Sequence, residues 1–143
     1  MVTVVSAAIM DRKNGLVLLA QRSDLAPSYS RLWCTPGGKT KPGESLFVAL
    51  CRELREEIGV FCSTEMLLHV YEHRIKSTQT GEDVCVYCFA IERHKVTGTY
   101  QCLDQTIGLG WFDAAGLYAL RDARMLTPAD EANIDALAAL VRP

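Results

Sequence analysis

The chain has 143 residues, 49% of them hydrophobic and 22% charged, with 15 basic residues against 17 acidic ones. That is enough for one domain burying roughly two-thirds of its unfolded surface, and too apolar for a disordered chain. A formal net charge of −2 gives no general attraction to long nucleic acid or to an anionic membrane, but leaves single nucleotides open as ligands.

Residues 2–10 are β-rich, Asn14-Gly15 is a turn signal, and residues 16–21 form a second strand, which together predict an opening hairpin. The apolar start has no basic leader and runs directly into Asp11-Arg12-Lys13, so it reads as a strand and not as a targeting segment. No stretch reaches the roughly 20 apolar residues of a membrane span, and the expectation is a cytoplasmic protein. Residues 23–31 form a polar loop around Pro27, and the short apolar run 32–35 is stopped by Pro36-Gly37-Gly38. A loop with Pro42-Gly43 then leads into the clearest helix, residues 45–58. Ser45 suits the N-cap, Leu46, Leu50, Leu54 and Ile58 form an i, i+4 stripe, and Gly59 supplies the stop.

Residues 66–74 and 84–92 are strands flanking a turn at Thr80-Gly81-Glu82-Asp83, and residues 109–112 make a further short strand. A final helix is predicted over 127–140, with Pro128 in its first turn. One mixed α/β domain over 1–143, with a central sheet and two helices, fits this order. The cysteines at 34, 51, 62, 85, 88 and 102 raise the question of a disulfide scaffold or a zinc site. Cys85 and Cys88 are the one close pair, no second Cys-x-x-Cys or His-x-x-His completes a tetrahedral site, and strand residues three apart face opposite ways. They read as thiols in a reducing compartment. His69, His73 and His94 show no metal-ligand spacing and read as ordinary strand or surface residues.

The informative stretch is 38–60. On the helix, Glu56 lies about 60° to one side of Glu53 and Glu57 about 40° to the other, so three carboxylates share an arc of roughly 100° beside the apolar stripe. Glu53 and Glu57 are an i, i+4 like-charge pair, which costs an isolated helix about 0.2–0.5 kcal/mol. Clustered carboxylates resist full ionisation unless a cation joins them, and Mg²⁺ takes oxygen ligands while sharing positions with substrate phosphates. The Pro-Gly-Gly turn lets backbone groups approach the same ion, and Lys39 adds a cation. Such parts suit metal-assisted attack of water on a polyphosphate. Arg-Glu-Leu-Arg-Glu-Glu alone also describes a solvated acidic face. The complete spacing, G-x5-E-x7-R-E-U-x-E-E-x-G-U with U aliphatic, has a chance frequency on the order of one in ten million in a chain this long.

That spacing resembles the box of the Nudix hydrolases, and similarity to the MutT-type and CTP-pyrophosphohydrolase-like members extends beyond it. It includes Leu18-Leu19-Ala20-Gln21-Arg22, Leu32-Trp33, Pro36-Gly37-Gly38-Lys39, Gly110-Trp111-Phe112 and Leu126 to Asp130. The resemblance implies an α/β/α sandwich around a mixed sheet with a loop–helix–loop motif. It implies Mg²⁺-dependent hydrolysis, with Mn²⁺ as a substitute, of a nucleoside diphosphate linked to another group. The leading substrate is a natural or modified (d)NTP, cut to monophosphate and pyrophosphate. ADP-ribose, dinucleoside polyphosphates or nucleotide sugars are the alternative, and a catalytically inactive nucleotide-binding module is a third.

Carried over, Glu53, Glu56, Glu57 and the Gly37 carbonyl are metal ligands, with Glu53 also the group that orients or deprotonates water. Glu44 and Arg52 are supports, with Arg52 able to pair with Glu56. Arg22 corresponds to a phosphate-binding arginine, and Gly38 and Lys39 line the same turn. Asp104 corresponds to a distal extra base or ligand, although the family's usual residue there is Glu. Asp130 occupies the place of a residue that reads the base edge, and equally suits a helix N-terminus behind Thr127. Tyr29, Trp33 and Phe112 are available to stack on a base, while Trp33 and Phe112 also suit the core. The expected partner is a nucleotide, with the protein a monomer or homodimer.

Overall fold

The computed structural model describes residues 1–62, 67–78 and 80–142. The first strand, β1 (Val2–Asp11), is buried from Val5 onward, as a strand covered on both faces must be. It runs parallel to β7 (Asp83–Glu92), from Val2 opposite Val84 to Met10 opposite Glu92, and β6 (Leu68–Lys76) pairs antiparallel on the far side of β7. β2 (Leu16–Arg22) meets β1 only near the turn, at Met10–Val17 and Asp11–Leu16. Beyond that point the two strands part, and residues 33–39 fill the gap. β3 (Trp33–Cys34) pairs with β2, and β4 (Gly37–Lys39) pairs with β1. β9 (Thr106–Phe112) closes the other side of β2. A second, two-stranded sheet joins β5 (Val60–Cys62) to β8 (Val96–Gly98).

The period of two along the central strands divides the core. Val5, Ala7, Ile9 and Leu18 face the first helix, α1 (Leu46–Ile58), and meet Ala49, Leu50, Leu54 and Ile58. Ala8, Val17 and Leu19 face the opposite way, onto Leu117 of α2 (Ala114–Asp122) and Ile134, Leu137 and Ala138 of α4 (Ile134–Ala139). The result is a mixed sheet between helical layers. Ser45 caps α1 by accepting from the Val48 N–H at 3.2 Å, and Gly59 ends it in the left-handed region at φ 74°.

Three expectations are corrected. The single helix over 127–140 is broken into α3 (Pro128–Ala132) and α4, because Asn133 leaves helical geometry and its side-chain amide donates back to the Ala129 carbonyl at 2.8 Å. α2 was not anticipated, although Asp113 caps it through a 2.7 Å bond from the Gly116 N–H. Strand β6 is displaced toward Lys76; its predicted start at Met66 lies outside the described residues. No disulfide joins any of the six cysteines. No helix among the described residues is long and apolar enough to cross a membrane.

Candidate active site

The glycine turn and α1 are brought together because β4 sits in the sheet beside β1. A side chain at Gly37 would bring its Cβ to 2.6 Å from the Ser6 Cα, and one at Gly38 would bring its Cβ to 2.7 Å from Glu53 Oε1. Glycine at both positions therefore lets the strand pass β1 and leaves a notch that the Glu53 carboxylate occupies. Arg52 ties this turn to the helix. Its Nε donates to Glu44 Oε2 at 2.7 Å and its Nη2 to Glu44 Oε1 at 2.9 Å, a bidentate pair. Nη2 also donates to the Lys39 carbonyl at 2.9 Å, and Nη1 donates to Glu53 Oε1 at 2.9 Å and Glu56 Oε2 at 3.1 Å. Glu44 in turn accepts from the Lys41 N–H at 2.6 Å. Arg52 and that N–H hold the Glu44 carboxyl down at about 2.

The remaining carboxylates lie toward the C-terminal half of α1. Glu53 is 8% exposed, and its carboxyl is raised above the usual range by burial, with Glu56 and Asp104 adding to the rise and Arg52 opposing it. Glu57 is pushed up to about 7, first by burial and then by the charges of Asp104 and Glu53, against a stabilising hydroxyl from Thr106. Asp104 reaches this pair on a loop fastened to the end of the helix. The Leu103 N–H donates to the Glu57 carbonyl at 3.0 Å and the Gln101 N–H to the Ile58 carbonyl at 2.9 Å, while Asp104 itself adopts φ 50°. Those carbonyls belong to the last turn of α1 and lack helical partners.

Every donor in this group is oxygen, two of the carboxylates are desolvated, and negative charge exceeds the single positive charge of Arg52 that contacts them. Such a set suits a hard divalent cation, which would offset the mutual repulsion that adds to the effect of burial on Glu53 and Glu57. As the side chains are disposed, no three Asp, Glu, His or Cys residues among those described form a closed ligand cluster. Arg52 draws Glu53 and Glu56 to itself, and Thr106 Oγ1 donates to Glu57 Oε2 at 3.1 Å.

Arg22 ends β2 and donates from Nε to the Ser28 carbonyl at 2.9 Å, and Lys39 is exposed at the end of β4. Asp130 lies in the first turn of α3, as one of its two readings has it, with its carboxylate turned inward. It is 1% exposed, and its oxygens already accept from the Thr35 N–H at 2.7 Å, the Thr35 hydroxyl at 3.0 Å and the Tyr71 hydroxyl at 2.6 Å. It offers no free edge in this arrangement; it fastens the segment just ahead of Pro36-Gly37-Gly38. Trp33 packs edge-on against Phe112 with ring centroids 5.3 Å apart, and both lie on the core beneath α2 and α4. Thr35, Tyr71 and Thr106 were missed in the sequence. Thr106 alone carried a signal, as the hydroxyl two residues after Asp104.

A model of the NUDIX domain matches residues 1–137. The chain belongs to the Nudix family. Among solved structures, the Escherichia coli ORF135 protein superposes with a TM-score of 0.75 at 32% identity, covering 98% of this chain and 90% of that one. The MutT NUDIX hydrolase of Burkholderia pseudomallei superposes with a TM-score of 0.77 at 25% identity, covering 94% and 96%. The CTP pyrophosphohydrolase of Escherichia coli K12 is 50% identical over 56 residues, 39% of this chain and 40% of that protein. The 8-oxo-dGTP diphosphatase of Proteus vulgaris is 36% identical over 69 residues, 48% of this chain and 61% of that protein. These alignments span less than two-thirds of the length of either curated relative.

Proposed function

We propose that this Nudix protein hydrolyses nucleoside triphosphates, natural or chemically modified, to the nucleoside monophosphate and pyrophosphate in a Mg²⁺-dependent reaction. The observation that carries this reading is the gathering of Glu53, Glu56, Glu57 and Asp104 beside a glycine notch, with two of the four desolvated. Glu53, Glu56, Glu57 and the Gly37 carbonyl would hold the ion. When bound, it would neutralise phosphate charge and make an internal phosphorus more open to attack. Glu53, seated against Gly38, orients the attacking water and takes its proton as the bond from that phosphorus to the leaving pyrophosphate oxygen breaks. Asp104 supplements the cluster from the distal loop.

Arg52 has a different task. By joining Glu44, Glu53, Glu56 and the Lys39 carbonyl, it keeps the turn and helix in register, which fixes the carboxylates relative to the phosphates. Arg22 and Lys39 supply positive charge for the polyphosphate. Asp130 serves as a clamp on Thr35 and so on the approach to Gly37. Related proteins named for CTP and 8-oxo-dGTP put those triphosphates first among substrates.

The test is incubation with Mg²⁺ and a panel of NTPs, dNTPs, 8-oxo-dGTP, 5-substituted dCTPs, ADP-ribose and a diadenosine polyphosphate. Pyrophosphate and phosphate are scored separately. Monophosphate and pyrophosphate in equal amounts from a triphosphate is the expected result. Turnover confined to ADP-ribose or dinucleotides would overturn the substrate, and no turnover by the folded protein would overturn the activity.

A further inference from the structure

We propose that Thr106 is a positioning residue for this site: its hydroxyl sets the orientation in which the Glu57 carboxylate meets the divalent ion. The role rests on the reading of Glu57 as a metal ligand, and goes beyond it by assigning a residue outside the 38–60 motif. Thr106 Oγ1 donates to Glu57 Oε2 at 3.1 Å, and Thr106 is only 8% exposed. It opens β9 opposite Arg22, and its N–H is fixed by the Leu103 carbonyl at 2.9 Å. The Leu103 N–H meanwhile donates to the Glu57 main-chain carbonyl at 3.0 Å. One loop thus grips residue 57 at both main chain and carboxylate. The β-branched side chain of threonine restricts χ1, which fixes where the hydroxyl points.

The choice of donor matters. Glu53 and Glu56 are held by a guanidinium, which offsets part of their charge, whereas Glu57 is held by a neutral group. A hydroxyl orients a carboxylate without cancelling the charge that attracts a cation, and here it engages one of the two oxygens, Oε2. Outer partners of metal ligands act in this way generally.

Thr106→Val removes the hydroxyl at nearly constant volume, and Thr106→Ser keeps it. Mn²⁺ binding without nucleotide is measured from the electron paramagnetic resonance signal of the free ion, beside kcat and KM with Mg²⁺. The expected result is about tenfold weaker Mn²⁺ binding and a similarly lower kcat in Thr106→Val, with KM little changed, and recovery to within about twofold in Thr106→Ser. Thr106→Ala serves the same purpose if the valine variant does not fold. Wild-type Mn²⁺ affinity in the valine or alanine variant would overturn the assignment, as would equal losses in valine and serine variants. Glu57→Gln is run in parallel. If it binds Mn²⁺ as tightly as wild type, the ligand reading of Glu57 fails; if it binds weakly while Thr106→Val does not, only the role of Thr106 fails.

Discussion

Tyr71→Phe removes a single oxygen, and that oxygen donates a 2.6 Å bond to a carboxylate with 1% exposure. Hydrogen bonds to charged acceptors contribute about 1.5–3 kcal/mol, and burial keeps water from replacing the lost donor, so the expected cost is roughly 2–3 kcal/mol. For a chain of this length that is a fall in melting midpoint of about 6–12 °C. The penalty depends on pH in a defined direction. Burial raises the Asp130 carboxyl above its ordinary range, and Tyr71 and Thr35 pull it back. A carboxyl raised on folding contributes stability that is present below its unfolded pKa and lost as pH rises through the folded value. Losing Tyr71 raises Asp130 further, so this decline becomes larger and extends to higher pH in the variant.

Where Asp130 is protonated in both proteins, the missing bond is a neutral one worth about 1 kcal/mol; where it is charged, the full cost appears. Urea denaturation followed by circular dichroism, repeated over a series of pH values, reads both quantities. A penalty below about 0.5 kcal/mol, or one that shrinks as pH rises, would refute the buried clamp.

Gly38→Ala places its Cβ 2.7 Å from Glu53 Oε1, so kcat should drop by about 100-fold with the fold intact, as steady-state kinetics and a thermal melt would register. Arg52→Lys keeps the charge but loses the fork that joins Glu44, Glu53 and Glu56, and kcat should fall by roughly tenfold or more. Because Arg52 and the Lys41 N–H hold Glu44 at about 2, this group stabilises the fold above its ordinary pKa of 4.5 and ceases to do so as pH falls through about 2. The acid unfolding of Arg52→Ala should accordingly begin at higher pH, a shift that a circular-dichroism pH titration detects. Thiol titration should find six reactive thiols after denaturation, with Cys102, the exposed one, reacting first in the native protein.

Local rules were legible wherever the signal lay within a few residues. Ser45 and Gly59 mark both ends of α1, and the 100° geometry of a helix alone puts Glu53, Glu56 and Glu57 on one side. The Asn14-Gly15 turn gave the β1–β2 hairpin, but the sequence could not show that the strands part after it to admit residues 33–39, because that depends on which segment forms the better sheet partner. The break at Asn133 escaped notice because apolar periodicity continues across it, and only the side-chain bond to Ala129 marks it. Asp130 was the least legible residue of the site. Its partners Thr35 and Tyr71 lie 95 and 59 positions away, so a helix-start aspartate and a buried clamp look alike in the chain. Thr106 and Glu57, 49 positions apart, pose the same difficulty.

The decisive experiment compares hydrolysis of the preferred triphosphate by wild type, Glu53→Gln and Glu57→Gln, each with Mg²⁺ and with a chelator. The expected outcome is Mg²⁺-dependent release of monophosphate and pyrophosphate by wild type, abolished by chelation. Losses on the order of 1,000-fold in kcat are expected in both folded variants. Turnover that persists without a divalent ion, or near wild-type rates in both glutamine variants, would contradict the assignment of this carboxylate cluster as the hydrolytic centre.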